Sequence, residues 1–462
     1  VILLAFGLGM APTVSRAQGN YRAVPTGGRS ALMGNTGVAD ARDGAAPFLN
    51  PATIAGIRDQ QVAFSVNFYS ATLTTIDSFH APRGTDVALG RRSLSDARLD
   101  ALPSTFCLFL TLREEEAQRK KLALCAGTTE RRELSSSATV VGDTPTGTTL
   151  HIASVERSYG RLHVGPTYGA NITDSLALGA SLHLIDTRAN TLTTADATTV
   201  GAGGSAFSSS ASASSFDLAL LLGATLRIDR ETTLGLAFGA PSLHIGGEID
   251  AADHGQTGDF SQTRAATGPF RAPQPMRLAF GIGRHARGFK IAADVTYFFP
   301  QDHVFEADTD VHTLTTRGAT HDDRTDAISA NTNARSVVDT SLGFEWRWSD
   351  GIGLLGGVAT DFGARARLSA APAIGTIVTT REDRLLFTLG MASYGVGGEL
   401  LFGTQLGLAR GEIYVGDTYS TPADLAPAQQ HTTTLLFVLA GHTSLSTIRR
   451  TFEDLRHTLP VR

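Results

Sequence analysis

Leu176-Ala177-Leu178-Gly179-Ala180-Ser181-Leu182-His183-Leu184 is the stretch that decides the fold. Every second residue is large and apolar, apart from Ala180. The residues between are small or polar. Period 2 places the two sets on opposite faces of a strand. The same pattern returns at Leu218, Leu220, Leu222, Ala224, Leu226 and Ile228, at Leu278, Phe280 and Ile282, and at Leu342, Phe344, Trp346 and Trp348. One face carries the bulk and the other carries Gly, Ser, Thr, His or charge.

Working outward, the alternation parses into fourteen strands: 61–74, 102–114, 119–140, 149–171, 174–190, 214–228, 231–246, 272–286, 288–300, 334–348, 351–366, 384–397, 399–412 and 430–443. Their connections alternate in length. Short turns are expected at Glu115–Gln118, Ile172–Asp174, Asp229–Glu231, His285–Gly288 and Ser349–Gly351. Long polar loops are expected at 75–101, 191–213, 247–271, 301–333, 367–383 and 413–429. An even number of strands with short turns at one end and longer loops at the other is the signature of an outer-membrane barrel. Closure is obligatory, because an open sheet edge in hydrocarbon leaves backbone groups unpaired. The expected class is therefore all-β: a transmembrane antiparallel β-barrel over 61–443.

Composition agrees. The chain has 462 residues, of which 18% are charged, and a mean hydropathy of +0.00. That is fewer charges than the ~25% of a typical soluble domain. A net charge of −5 gives no attraction for a polyanion such as nucleic acid. Two cysteines are too few for a disulfide scaffold or a zinc framework.

The run Val1–Met10 is apolar, and Ser15 and Ala17 fit a signal-peptidase site. Residues 1–17 read as a signal peptide that lacks its own start, which sends the chain out of the cytoplasm. The segments 119–140 and 149–171 exceed the ~9–11 residues needed to cross a bilayer. Either they project beyond it or each is broken. Gly165-Pro166 is the candidate wall break, since proline cannot donate to the ladder. A bulge without a gap is the other reading.

Residues 18–60 do not alternate. They contain Gly28-Arg29-Ser30-Ala31-Leu32-Met33-Gly34-Asn35-Thr36-Gly37-Val38-Ala39-Asp40-Ala41-Arg42-Asp43, and later Asn50-Pro51-Ala52. Asn50 can cap a short helix with Pro51 at its first position. A compact segment of small residues ahead of a barrel can fill the lumen as a plug. This pattern, with the fourteen strands, resembles the FadL family of outer-membrane transporters for long-chain fatty acids and other hydrophobic compounds. The resemblance implies that the segment is a hatch to which Asn50, Pro51 and Ala52 belong. It implies localisation in the outer membrane of a Gram-negative-type cell, with lipid and lipopolysaccharide around the barrel. Related barrels that serve protein secretion carry a similar run. Beyond residue 443 the chain departs from the family pattern. Ile448, Phe452, Leu455 and Leu459 share one helical face, so 444–462 is expected to form a periplasmic tail.

Little else points to chemistry. Gly351-Ile352-Gly353-Leu354-Leu355-Gly356 fits a nucleotide fingerprint, but it enters a strand rather than a helix. Asp302, Glu306, Asp308, Asp310, Asp322, Asp323 and Asp326 crowd the loop at 301–333 without the spacing of an EF-hand. His163 and His183 fall on the inward face. No metal site, cofactor or catalytic set is marked, and the chain reads as a non-enzyme. Cys107 and Cys125 flank the turn at Glu115–Gln118 on the inward face and sit opposite each other if the hairpin centres on Glu116. A disulfide is chemically allowed in an oxidising compartment. The expected function is a passive, hatch-gated channel for hydrophobic small molecules, either fatty acids or aromatic hydrocarbons, acting as a monomer. Candidate lining residues are Phe48, Leu49, Phe207 and Phe260. The alternative is a barrel for protein secretion or partner binding without solute flux.

Overall fold

The computed structural model describes residues 20–22, 24–76, 94–115, 118–144, 147–201, 203–365, 380–395, 397–416 and 425–449. Two single-turn helices come first, α1 (Arg29–Leu32) and α2 (Ala46–Leu49), then a 3-10 turn at Pro51–Gly56. Eighteen strand segments follow. They are β1 (Gln61–Ile76), β2 (Leu94–Arg113), β3 (Lys120–Thr144), β4 (Gly147–Asn171), β5 (Leu176–Thr199) and β6 (Gly203–Arg227), then β7 (Thr232–Gly239), β8 (Leu243–Thr257), β9 (Phe260–Arg271), β10 (Arg277–Ala286), β11 (Phe289–Phe298) and β12 (Gln301–Arg317). The last six are β13 (Thr320–Ala334), β14 (Val337–Arg347), β15 (Ile352–Asp361), β16 (Thr380–Gly395), β17 (Gly398–Gly416) and β18 (Leu425–Ser444).

The eighteen segments make fourteen staves, because four staves are each broken once. β7 runs on as β8, β9 as β10, β11 as β12 and β13 as β14. The breaks fall at residues 240–242, 272–276, 299–300 and 335–336, and Pro241, Pro273, Pro275 and Pro300 account for three of them. Proline removes a ladder donor and so ends regular pairing. β1 pairs antiparallel with both β2 and β18, which closes the ring and leaves no sheet edge across the membrane.

The alternation sets the orientation of the wall. Leu178, Leu222, Phe280 and Leu342 face outward, 42–52% exposed, while Ser181, His183 and Glu345 face inward and are at most 4% exposed. A belt of exposed Leu, Ile, Val and Phe that encircles a closed barrel has hydrocarbon as its natural surroundings.

The expected long loops require a correction. Residues 191–213, 247–271 and 301–333 are mostly strand. β5 and β6 meet at Thr199 and Gly203, β8 and β9 pair as a hairpin, and β12 pairs with β13. These stretches are rich in small and polar residues, Thr and Ser in 191–213, Gly, Ala and Asp in 247–271 and Thr and Asp in 301–333, which read as loop but pair as strand once the barrel sets the register. The acidic residues of 301–333 therefore stand on a projecting hairpin. β3 and β4 each contain 25 residues. At about 3.3 Å per residue each reaches roughly 80 Å along its axis, far more than a tilted span of a ~30 Å core requires. Parts of the expected loops at 75–101, 367–383 and 413–429 lie outside the described residues, and the rest of each is strand, with β2 beginning at Leu94, β16 at Thr380 and β18 at Leu425, and β17 running to Gly416. The expected short turns appear where β2–β3, β4–β5, β6–β7, β10–β11 and β14–β15 connect. The expected signal peptide lies outside the described residues. Of the tail, residues 445–449 are helical and 450–462 lie outside.

Candidate functional site

The N-terminal segment packs within the ring. Gly28 approaches Leu401 and Ala440, Gly34 approaches Leu342 and Val358, Gly44 approaches Thr105, and Asn50 approaches Gly223. These wall residues belong to strands spaced right around the barrel. The segment is held first by itself. Asp43 accepts from the backbone of Gly28 at 2.9 Å and Ser30 at 3.0 Å, and from Ala45 at 3.1 Å. The sixteen-residue pattern thus closes on its last residue, a buried carboxylate that satisfies amides at the start of α1. Asn50 is fully buried. It caps the 3-10 turn by accepting from Ala52 N at 3.1 Å, and it donates to Val38 O at 2.6 Å and to Ala224 O of β6 at 3.0 Å. Pro51 takes the first position of that turn, where its missing N–H costs nothing.

The wall then anchors the segment. Arg29 is wedged between Glu345 of β14 and Glu399 of β17, all three side chains being at most 13% exposed. His442 adds a contact to Glu399 at 3.3 Å. The two carboxylates hold the Arg29 guanidinium firmly in its charged form. Asp294 of β11 accepts from Gly37 N at 2.7 Å and Val38 N at 3.0 Å. Thr388 of β16 donates to Leu32 O at 2.8 Å, Lys290 meets Asp40 at 3.0 Å, and Ser181 donates to Pro47 O at 2.9 Å.

Where segment and wall touch, the wall carries glycine. A Cβ on Gly179 would lie 2.5 Å from Ala52 N, and one on Gly169, Gly223, Gly235, Gly281, Gly343, Gly357 or Gly390 would come within 2.8 Å of a segment atom. At Gly179, Gly235, Gly343 and Gly357 the approach is to segment backbone, which only glycine permits so closely. The sequence signal for this ring was present as glycine on the inward face between two large outward residues, as in Leu178-Gly179-Ala180 and Phe280-Gly281-Ile282. Composition alone did not separate these glycines from those in turns.

Above the segment the lumen combines an apolar cluster with buried ion pairs. Phe270, Phe298, Phe305, Ile249, Val304 and Val311 form one buried cluster with Tyr21 of the segment, at the level of the strand breaks. The Tyr21 and Phe298 ring centroids are 4.5 Å apart. A buried ion pair, Arg161–Glu130 at 3.0 Å, sits beside these rings, with Tyr159 donating to Glu130 at 3.2 Å. Burial and the neighbouring Glu130 push the Tyr21 phenol above its ordinary range. Further out lies an open cavity of about 990 Å³ between the projecting strands, lined by Leu134, Leu192, Ala211, Ala251 and Ala266 together with Glu133, Arg157 and Asp250. Beside the segment lies a smaller cavity of about 80 Å³, lined by Tyr21, Arg22, Phe48, Leu49, His163, His183, Arg277 and Phe298 among others.

Among the candidates from sequence, the structure brings Phe48 and Leu49 together at that small cavity. Phe48 stacks on His183 with centroids 5.1 Å apart and meets His163 edge-on at 6.3 Å. Both histidines are buried and face inward. Phe207 is buried in a separate cluster higher in the barrel, with Leu134 and Val155. Phe260 stands at the tip of the β8–β9 hairpin under the Arg317 guanidinium, apart from both cavities. At Gly165-Pro166 the β4–β5 ladder skips from the Val164–Leu184 pair to the Thr167–Ser181 pair and resumes in the same register. Gly165 lies so close to the Leu182 carbonyl that no Cβ fits. Cys107 and Cys125 are directly opposite, with Cα atoms 4.3 Å apart, and are joined as a disulfide. Sequence reasoning missed Arg29, Asp294 and Arg277 as anchoring residues, since their partners lie hundreds of residues away in the chain.

Comparison with known proteins yields no matching family model and no matching curated protein. Solved structures do match over nearly the whole chain. The toluene transporter TodX of Pseudomonas putida aligns with a TM-score of 0.59 at 15% identity, covering 92% of this chain and 99% of that one. The toluene transporter TbuX of Ralstonia pickettii gives 0.55 at 16% identity, with the same two coverages. A FadL homologue of Pseudomonas aeruginosa gives 0.55 at 13% identity, covering 93% and 100%. This chain has the fold of those transporters, a closed fourteen-stranded β-barrel.

Proposed function

We propose that this protein is an outer-membrane channel for the passive uptake of hydrophobic small molecules, gated by its N-terminal segment. The observation that carries the reading is the ring-lined lumen that ends on a segment anchored within the barrel. A lumen built for water and ions is polar throughout, and this one sets a cluster of Phe, Tyr, Val and Ala among its buried ion pairs. Solutes enter from the open outer cavity, pass the ring cluster around Phe270 and Phe298, and collect beside Phe48 and Leu49. Release then requires part of the segment to move, and Asn50, Pro51 and Ala52 are its pivot because Asn50 ties two stretches of the segment to β6 of the wall. The neighbours of like fold include toluene transporters, and aromatic hydrocarbons fit the ring-rich lumen better than long chains. Anchors on many strands favour a local shift of the segment over its ejection. Lipid and lipopolysaccharide surround the barrel, which works as a monomer and performs no chemistry.

The test is uptake of a radiolabelled aromatic hydrocarbon and a long-chain fatty acid by cells with and without the gene. Gene-dependent uptake of the hydrocarbon supports the reading. Equal uptake of both solutes in both strains sinks it and favours a barrel for secretion or partner binding.

A further inference from the structure

Above the membrane the ring of strands opens at β13. Toward the membrane its stave continues as β14, which pairs on both sides, with β11 and β15. From Thr320 to Asn333, β13 pairs with β12 alone among the described residues, and a single bridge between Ala334 and Arg365 marks where a second neighbour ends. β3 beyond Gly127 also rises without β2 beside it, but there Leu134 is buried against Ile76, Ile413 and Ala428 of β1, β17 and β18. The edge of β13 has no such cover among the described residues. Thr309 Oγ1 donates to Ile328 O at 3.1 Å, so the Ile328 backbone faces β12. Backbone direction alternates along an antiparallel strand, and Ala327, Ser329 and Asn331 therefore turn their N–H and C=O groups to the open side. All three are exposed. Proteins blunt a free edge with charge, proline or a bulge. The tip of β13 has charge, in Asp322, Asp323, Arg324 and Asp326, but Ala327-Ile328-Ser329-Ala330-Asn331-Thr332-Asn333 has neither charge nor proline. Nor does it bulge, since its register with β12 is unbroken from Thr332 back to Thr320. On the inner side Ile328 and Ala330 pack against the cluster of Phe270 and Phe305.

We propose that the free edge of β13 is a docking site for an extended cationic peptide segment, which joins the projecting sheet as its next strand. Main-chain hydrogen bonds to Ala327, Ser329 and Asn331 hold it. Charge decides its character. Residues 301–334 carry seven carboxylates and two arginines, a surplus equal to the net −5 of the whole chain. Two copies of this edge therefore repel each other, whereas a cationic chain is drawn to it. An antiparallel partner runs from Asn333 toward Thr320. Its leading residues lie beside Ile328 and Ala330, where every second side chain meets apolar surface. Its trailing lysines or arginines reach Asp322, Asp323 and Asp326. Asp323 and Asp326 already contact His312 at 3.5 Å and Arg324 at 2.6 Å, and exposed pairs of this kind are weak enough to exchange partners. The proposal goes beyond solute uptake, and its test measures peptide binding rather than flux.

The full chain, folded in a non-ionic maltoside detergent, is titrated into the fluorescein-labelled peptide Val-Thr-Val-Thr-Val-Thr-Lys-Lys-Lys, and anisotropy reads the binding. A second peptide has proline in place of each threonine, and a third has glutamate in place of each lysine. The proline peptide keeps the charge but cannot pair, and is expected to bind roughly a hundredfold more weakly, the worth of a few main-chain hydrogen bonds. The glutamate peptide binds about tenfold more weakly at low salt. Amide exchange at Ala327, Ser329 and Asn331 slows when the first peptide is added. Ser329→Pro removes a donor on the open side and leaves the β12 ladder intact, so it weakens binding about tenfold or more while the barrel still folds. Asp322→Asn with Asp323→Asn weakens it about fivefold at low salt. Equal binding of the threonine and proline peptides overturns the proposal, as does exchange at 327, 329 and 331 that the peptide leaves unchanged. Slow exchange at these amides in the chain alone also overturns it, because the edge is then already paired. A dimer that Ser329→Pro dissolves assigns the edge to a second copy and overturns it too. Equal binding of the lysine and glutamate peptides overturns its cationic half. If Ser329→Pro does not fold, the three peptides on the unmodified chain decide. Peptide binding as expected in a protein that supports no uptake leaves the docking site standing and removes the channel reading. Uptake without peptide binding does the reverse.

Discussion

Arg29 shows how much a single residue carries in this molecule. Its guanidinium bridges Glu345 and Glu399, which belong to staves three strands apart. Removing it leaves two buried carboxylates without the guanidinium that joins them, with only the longer Arg347–Glu345 and His442–Glu399 contacts remaining. Breaking such a pair costs about 3–5 kcal/mol. Arg29→Ala is therefore expected to loosen the N-terminal segment by about 3 kcal/mol while the barrel still inserts, read as faster proteolysis before residue 60 in a heat-modifiable, folded protein. Asn50→Ala removes three hydrogen bonds at a fully buried site. At about 1 kcal/mol for each bond, the expected result is a segment that exchanges amide hydrogen roughly a hundredfold faster at 50–57. Gly223→Val tests the glycine ring, because its side chain must occupy the space of Asn50 and Pro51. It should insert normally and display the same protease-sensitive segment, whereas full protection would mean that the contact is not tight.

The scale of the element is where the sequence was most legible, and where it misled. The β2–β3 hairpin is the clearest success, since period 2 and one turn placed Cys107 opposite Cys125. With the two cysteines eighteen positions apart, the cross-link constrains the unfolded chain by about 3 kcal/mol. Cys107→Ser with Cys125→Ser should therefore lower the denaturant midpoint of the barrel and leave its channel properties unchanged. The strands that cross the membrane were read correctly because hydrocarbon demands large residues at every outward position. Beyond the membrane that demand ends. Thr191, Thr193, Ser208 and Ser210 alternate without contrast, so β5 and β6 looked like loop although they continue as strand. The anchors of the segment were not legible for another reason. Asp294 and Thr388 are ordinary inward polar residues until the barrel brings them to Gly37 and Leu32, and nothing local encodes that meeting. Asn50 was legible because its first task, capping the turn at Pro51, is local.

At the scale of the whole molecule, the wall and the segment specify each other. A closed barrel of fourteen staves leaves a lumen wide enough to need filling, and the inward glycines let a chain of small residues lie against the wall backbone to backbone. The breaks in four neighbouring staves bring Phe270, Phe298 and Phe305 into the lumen just above that segment. The result is a buried aromatic cluster seated on the N-terminal segment. The central claim is that hydrophobic solutes pass this cluster and that the segment controls their passage. The most direct measurement is the flux of radiolabelled toluene into proteoliposomes holding the unmodified chain, Asn50→Ala or no protein. The account predicts entry above the protein-free rate with the unmodified chain, and several-fold faster entry with Asn50→Ala. Identical rates in all three vesicle preparations, with folded protein present in the two that contain it, would contradict the account.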